Sequence, residues 1–252
     1  MTVASSTAKL HFSRYEFKYL LPKALRDELE KELNYFLTLD PYVSQKPEKK
    51  YFVRSLYFDD ESFSNYYEKT DGMHDRLKFR IRTYSQDVKE NCALFLEIKG
   101  KQGELVYKHR SPIKASSSDY TLINKADMLL YTLKHTEQSP TLEHFDFERE
   151  RKRLKPVILI DYNRRPYISK YAPDFRLTFD DSISGTRADK IFPSPQNPTR
   201  SILRGHTVME VKFNHHMPSW FHRVIQAYEL KRVSISKYCK GIEVFKLTPN
   251  LE

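Results

Sequence analysis

Polar and apolar residues alternate with a period of two along several stretches of the chain, and this alternation predicts β-strands. In the strand predicted over 76–84, for example, the basic residues at 76, 78, 80 and 82 alternate with large apolar residues at 77, 79 and 81. The same pattern predicts strands at 11–20, 51–59, 93–101, 104–112, 156–165, 174–180 and 206–213. Gln102-Gly103 predicts a hairpin turn between two of these strands.

Apolar residues at helical spacing separate some of the strands. Leu25, Leu29 and Leu33 lie between Pro22 and Pro41, so a helix is expected over 22–39. Further helices are predicted at 62–69, 118–153 and 218–230, and a loop rich in Pro, Asn and Ser at 185–201. Because no composition break divides the chain, we expect one domain over 10–248, with terminal tails at 1–9 and 249–252.

The two faces of the predicted strands differ strongly in chemistry. In six or seven strands, Arg and Lys occupy one parity and large apolar residues occupy the other. The apolar parity needs cover, which the predicted helices can supply. If the sheet closes into a barrel, the charged parity then points into the lumen.

Composition limits the class of protein and of ligand. The 43 Lys and Arg exceed the 33 Asp and Glu, for a formal charge of +10, which favours an anionic partner. No apolar run is long enough for a transmembrane helix, and the segment 1–9 is short and polar, so we expect neither a transmembrane segment nor a secretory signal. The two cysteines, Cys92 and Cys239, cannot form a disulfide framework and predict a reducing, cytoplasmic location.

Four carboxylates share the parity of the basic residues: Glu16, Glu97, Asp180 and Glu210. A simple phosphate clamp would exclude acidic residues, because they repel the ligand. They suit a site in which divalent cations lie between carboxylate and phosphate oxygens, since hard cations prefer oxygen ligands. The alternative is that each acid forms an ion pair with a neighbouring base across the strands.

These segments together resemble the triphosphate tunnel metalloenzymes, and among them the vacuolar transporter chaperone (VTC) domain, a polyphosphate polymerase domain. The matching segments are Arg14-Tyr15-Glu16-Phe17-Lys18-Tyr19, Ser55-Leu56-Tyr57-Phe58-Asp59, Arg80-Ile81-Arg82, Glu97-Ile98-Lys99, Lys108-x-Arg110, Tyr162-x-Arg164, Arg176-x-Thr178-x-Asp180, Glu210-Val211-Lys212-Phe213 and Ser236-Lys237-Tyr238. They occur in order over residues 14–238. Arg14 stands where the wider superfamily has a first glutamate, which matches the VTC branch better than the others and argues against a two-metal hydrolytic site.

The resemblance implies an α+β fold, an eight-stranded antiparallel closed β-barrel with a charged lumen and helices packed outside. It also implies that ATP, another nucleoside triphosphate or polyphosphate binds in the lumen. The residues expected to be catalytic are Lys18, Arg80, Arg82, Lys99 and Lys237. Those expected to bind substrate are Tyr57, Lys108, Arg110, Tyr162, Arg164, Arg176, Lys212 and Ser236. Glu210 is the first choice as ligand of Mn²⁺ or Mg²⁺, followed by Glu16 and Glu97.

The resulting hypothesis is transfer of the γ-phosphate of ATP to the end of a growing polyphosphate chain, with release of ADP. Such an acceptor is already an anion, so no general base is required. Two alternatives stay open: a tunnel triphosphatase that hydrolyses tripolyphosphate or nucleoside triphosphates, and a non-catalytic sensor of polyphosphate or nucleotide.

Nucleic-acid binding is a further alternative, suggested by the pI near 9.3 and the abundant Tyr and Phe. It requires aromatic rings on the same parity as the basic residues, where they could stack on bases. Most aromatic residues lie on the opposite parity, with Tyr57 and Tyr162 as exceptions. We therefore expect no nucleic-acid partner.

Overall fold

The computed structural model describes residues 11–88, 92–114 and 128–248. Within these ranges, ten antiparallel strands form one sheet. The strands are β1 (His11–Pro22), β2 (Leu37–Leu39), β3 (Tyr51–Asp59), β4 (Asp75–Thr83), β5 (Leu94–Gln102), β6 (Leu105–Ile113), β7 (Lys155–Ser169), β8 (Arg176–Thr186), β9 (Thr199–Ser201) and β10 (His206–Phe213). Gly103 adopts a positive φ of 55° between β5 and β6, which confirms the predicted hairpin turn.

The eight long strands close into a barrel, which confirms the predicted fold class. Neighbouring strands follow the order β7-β3-β4-β5-β6-β1-β10-β8, and β8 pairs back with β7. The short strands β2 and β9 pair with the ends of β7 and β8. Because successive residues point to opposite faces, closure separates the charged parity from the apolar one.

Helices pack around the barrel, and most of them cover its apolar outer surface. They are α1 (Lys23–Leu33), α2 (Pro41–Ser44), α3 (Ser64–Thr70), α4 (Met128–His135), α5 (Pro140–Lys152), α6 (Ser219–Ala227) and α7 (Lys237–Phe245). Phe145 of α5 packs edge-on against Phe58 and Phe79, with ring centroids 5.7 and 5.4 Å away. Burying one such phenylalanine stabilises the fold by about 1.5–3 kcal/mol. None of the helices in the described part of the chain has the length and apolar character needed to span a bilayer.

Three predicted elements differ from those in the structure, and strand pairing explains two of the differences, whereas a local helix cap explains the third. The helix expected over 22–39 ends at Leu33, because 37–39 pair with the overhanging end of β7. The helix expected over 118–153 is divided by Ser139, whose side chain caps the new helix α5, and its residues 118–127 lie outside the described ranges. The predicted loop 185–201 contains the end of β8 and the strand β9, which pair with each other.

Two helices, the short α2 and α7, have no counterpart among the predicted elements. Helix α7 packs on Ile158 and Ile160, which share the parity of the lumen-facing Tyr162. The approach is so close that a Cβ on Gly241 would lie 2.7 Å from Ile160 Cδ1. The interior therefore has an apolar part closed by α7 and a charged part that remains open.

Candidate active site

The charged part of the lumen is a cavity of about 520 Å³. Its lining contains most of the residues that the sequence analysis selected. These are Glu16, Lys18, Tyr57, Arg80, Arg82, Lys99, Lys108, Tyr162, Arg164, Glu210, Lys212, Ser236 and Lys237. The strand alternation thus brings residues far apart in the chain to one inward-facing surface.

Three selected residues do not line this cavity. Glu97 is fully buried, and Arg110 lies beside it with its guanidinium 4.3 Å from the Phe95 ring centroid. Arg176 is exposed at the start of β8. Arg110 thus lies behind the cavity wall, where it pairs with Glu97, and Arg176 lies outside the cavity.

The structure adds further cations that the sequence analysis did not select. They are Arg14, Lys69, Arg76, Lys78, Lys101 and Arg232. Several were recognisable, because Arg76 and Lys78 continue the basic parity of β4. Lys69 and Arg232 could not be found this way, since they reach the cavity from α3 and from the segment after α6.

Glu97 is the centre of the first group of charges, which we call the Glu97 cluster: Glu97, Arg80, Arg82, Lys108 and Arg110. Arg80 contacts Glu97 Oε2 at 2.7 Å, and Arg110 donates from Nε to Oε1 at 2.6 Å. Arg82 Nη1 and Lys108 Nζ lie 3.7 and 3.6 Å from the same carboxylate. These cations hold the pKa of Glu97 well below its usual value, against the effect of burial.

Glu16 and Glu210 organise a second group, the Glu210 cluster: Glu16, Lys18, Lys99, Glu210 and Lys212. Lys99 Nζ donates to Glu16 at 2.6 Å, and Lys212 Nζ lies 2.7 Å from Glu210. Strand pairing of β1 with β10 sets Lys18 opposite Glu210. Burial lowers the pKa of Lys18 to about 7 and that of Lys212 to about 8.

Asp180 anchors a third group. Arg164 binds it through two parallel hydrogen bonds of 2.6 and 2.7 Å, and Lys237 Nζ lies 2.5 Å from Oδ2. Lys237 also stands 4.8 Å from the centroid of the Tyr162 ring. Desolvation opposes ionisation of Asp180, but these two cations keep its pKa at about 2.

The first turn of α7 carries two of the selected residues into the lumen. Ser236 caps the helix by accepting from the Cys239 amide at 3.3 Å, and its hydroxyl accepts from Lys78 Nζ at 2.7 Å. Lys237 is the first residue of the helix. A helix N-terminus favours anions, so its position adds to the attraction of the lysines.

The carboxylates differ in how well they suit a divalent cation. Both oxygens of Glu97 are occupied by cations, so its contacts do not fit the expected metal role. The described residues contain no group of three or more His, Cys, Asp or Glu that could hold a metal ion without other ligands. Glu210, with Glu16 nearby, fits a Mg²⁺-type ion, because such ions are held by one or two carboxylates together with substrate phosphates.

The family model of the VTC domain matches residues 13–246 of the chain. No curated protein matches it significantly. Among solved structures, the chain is similar to a Bacillus halodurans protein named as a candidate adenylate cyclase, with 12% identity, a TM-score of 0.49 and coverage of 90% of this chain and 95% of that one. It is also similar to the PH1819 protein of Pyrococcus horikoshii (11% identity, TM-score 0.47, coverage 93% and 99%) and to the Mimivirus capping enzyme triphosphatase (8%, 0.36, 86% and 88%). Because the family model covers nearly the whole chain, this protein belongs to the VTC domain family.

Proposed function

We propose that this protein synthesises polyphosphate by transferring the γ-phosphate of ATP to the end of a polyphosphate chain, with release of ADP. The observation that carries the proposal is the lumen cavity, in which cations outnumber carboxylates. Such a surface binds a chain of phosphates because its many cations attract the negative charge that every phosphate of the chain carries. Membership of the VTC domain family supports the same substrate class.

Arginines and lysines have different tasks in this reaction. Arg80 and Arg82 present planar guanidinium groups that suit paired phosphate oxygens. Lys18, Lys99 and Lys237 supply compact positive charges that can neutralise the negative charge developing on the transferred phosphate. Phosphoryl transfer depends mainly on such positioning and charge neutralisation, and the acceptor phosphate is an anion that needs no general base.

Glu210, with Glu16 beside it in the cluster, is the residue that would hold a divalent cation. A bound Mg²⁺ or Mn²⁺ would neutralise charge on the phosphate oxygens. Lys212 Nζ contacts Glu210 Oε1 at 2.7 Å and orients the carboxylate. The two buried cysteines, which form no disulfide, agree with a cytoplasmic location, which we include in the proposal.

The test is incubation of the purified protein with ATP and either Mn²⁺ or Mg²⁺. Products are separated on a gel that resolves phosphate chains, and free phosphate and ADP are quantified in the same samples. We expect long phosphate chains and an amount of ADP equal to the phosphate incorporated. ATP with a non-hydrolysable β–γ linkage is the matched control and should give no chains.

Other outcomes would overturn the proposal in distinct ways. Free phosphate without chains would identify a triphosphatase. Tight binding of tripolyphosphate without turnover under any metal would identify a sensor.

A further inference from the structure

Asp59, at the end of β3, is a buried carboxylate for which the proposed reaction has no direct use. Its side chain is fully buried and accepts hydrogen bonds from the backbone amides of Asp60, Asn65 and Tyr66 at 2.9, 3.0 and 3.1 Å. The Tyr238 hydroxyl donates a further hydrogen bond to it. Burial raises the pKa of Asp59 to about 6 in spite of these donors. The protein therefore retains an ionisable group where burial disfavours its charge.

Tyr238 links this carboxylate to the lumen. It is 1% exposed and lies in the first turn of α7, directly after Ser236 and Lys237. Its ring packs against Tyr57 with centroids 5.1 Å apart, and the Tyr57 hydroxyl accepts from Arg80 Nη1 at 3.0 Å. The ring of Tyr238 thus touches the cavity wall, while its hydroxyl is held on the other side by Asp59.

The position of Tyr238 determines where the residue before it points. Successive side chains of an α-helix are separated by about 100° around the axis, so a fixed Tyr238 fixes the direction of Lys237. Lys237 Nζ then lies 2.5 Å from Asp180 Oδ2, inside the cavity. A rotation or shift of this turn would withdraw both Lys237 and Ser236 from the phosphate-binding surface.

We propose that Asp59 is a positioning residue for the phosphate-binding surface. By binding the Tyr238 hydroxyl, it fixes the position of the first turn of α7, which carries Ser236 and Lys237. This inference rests on the proposed function only in taking phosphate chains as the ligand. The competing interpretation is that Asp59 only stabilises α3 through the Asn65 and Tyr66 amides. That interpretation makes Tyr238 a core residue with no effect on the ligand.

The test is a double-mutant cycle between Tyr238→Phe and Lys237→Ala, with binding of inorganic tripolyphosphate measured by calorimetry. Tyr238→Phe removes the hydroxyl and keeps the ring. We expect it to weaken binding by about 5- to 10-fold, which is the typical size of the effect of losing one hydrogen bond. In the Lys237→Ala background the same change should have an effect of less than about 2-fold, because residues that act as a unit are not additive.

Tyr66→Phe is the matched control, since Tyr66 is a buried tyrosine of the same apolar cluster that contacts Asp59 through its backbone amide. It should bind tripolyphosphate like the original protein. If Tyr238→Phe does not fold, Asp59→Asn replaces it in the cycle, because asparagine keeps an acceptor for the α3 amides.

Two results would overturn the proposal. One is an unchanged affinity of the Tyr238→Phe protein for tripolyphosphate. The other is an equal loss of affinity when Tyr238→Phe is introduced into the original protein and into the Lys237→Ala variant. Affinity is measured per folded molecule, so a purely structural effect on α3 would not change it. Because binding of tripolyphosphate is independent of turnover, failure to make polyphosphate would leave this test intact.

Discussion

The Glu97 cluster and the Glu210 cluster lie in the same lumen but reduce the repulsion between neighbouring cations in different ways. In the Glu97 cluster, one carboxylate faces three arginines and a lysine. In the Glu210 cluster, two carboxylates lie among lysines. The three arginines of the first arrangement keep an excess of positive charge, because a guanidinium does not release its proton in proteins. Only Lys108 in that cluster can lose a proton, since burial lowers its pKa to about 7.

The lysines of the second cluster can respond to their surroundings. The pKa of Lys18 is lowered to about 7 and that of Lys212 to about 8, chiefly by burial. In the absence of ligand they can therefore lose protons and relieve repulsion, and an incoming phosphate chain would favour their charged form. The comparison suggests that the Glu97 cluster is a fixed cluster, whose arginines keep their charge and hold the binding surface in place. The Glu210 cluster is then an adjustable cluster, whose lysines gain protons when the ligand binds.

The strongest test of this difference is Glu97→Gln. We expect a loss of about 3–5 kcal/mol in the free energy of unfolding at pH 7, because buried arginines lose their counter-charge. Urea denaturation measures the change. Since the pKa of Glu97 is depressed, the stabilisation is present above the unfolded-state pKa of about 4.3 and is lost as pH falls toward the folded-state value.

Tripolyphosphate sharpens the Glu97 test. The anion should raise the melting temperature of Glu97→Gln more than that of the original protein, because it supplies the missing negative charge. Glu150→Gln, on the exposed face of α5, is the control and should change stability by less than about 0.5 kcal/mol. A Glu97→Gln protein of ordinary stability would contradict the idea of a fixed cluster.

Glu210→Gln should separate activity from stability. We expect turnover to fall by about 100-fold or more, because this carboxylate is the proposed metal ligand. The loss of stability should stay below about 2 kcal/mol, since Lys18 and Lys212 can release protons. Steady-state assays and urea denaturation of the same preparation check both parts. Full activity in this variant would refute the metal role.

The adjustable cluster predicts opposite pH trends for stability and binding. Lys18 and Lys212 have folded-state pKa values of about 7 and 8, below the unfolded value of about 10.4. Between pH 7 and 9 the unfolded chain holds more protons, so their contribution makes the free protein more stable as pH rises. Tripolyphosphate needs the charged lysines, so its affinity should fall over the same range by about 10-fold through Lys212 alone and by a larger factor with Lys18 included.

Calorimetry in buffers of different ionisation enthalpy measures the proton uptake that this prediction requires. Lys212→Arg should reduce the pH dependence, because arginine stays charged. An affinity that is constant from pH 7 to 9 would show that these lysines are charged throughout.

Substitution of Lys78, whose Nζ donates to Ser236 at the start of α7, should have the smallest effect on ligand binding. Lys78→Met keeps the apolar stem and removes the charge that contacts Ser236. We expect tripolyphosphate binding to weaken by about 3- to 5-fold and to become less dependent on salt, as expected for one lost ion contact. Lys31→Met, on the exposed side of α1, is the control of equal charge. Equal affinities of the two variants would exclude Lys78 from the binding surface.

The fold was predictable to the extent that it follows from short-range patterns. Alternation with a period of two located all eight long strands, several of them to within one residue, because a strand with one buried face must alternate. Helix α7 was missed because its inward face packs on β7 residues that are far away in sequence. The break before α5 depends on a cap at Ser139, a signal that the charged run after it obscured.

The candidate site was predictable in composition but not in its pairings. The parity of β1, β4 and β10 identifies which cations face inward. It does not distinguish Glu97, enclosed by four cations, from Glu210, which forms an ion pair with Lys212. That difference depends on side-chain conformations and on which strands lie on each side, and neither is encoded in the spacing of one strand.

The sequence by itself determined that this protein would place cations on one face of its strands and apolar residues on the other, since residue type and a two-residue repeat suffice for that. Only the tertiary structure decided which carboxylate each cation would meet and which helix would enter the lumen. The physical reason is that ion pairs form over a few ångströms, and such distances are set by barrel closure and cross-strand register.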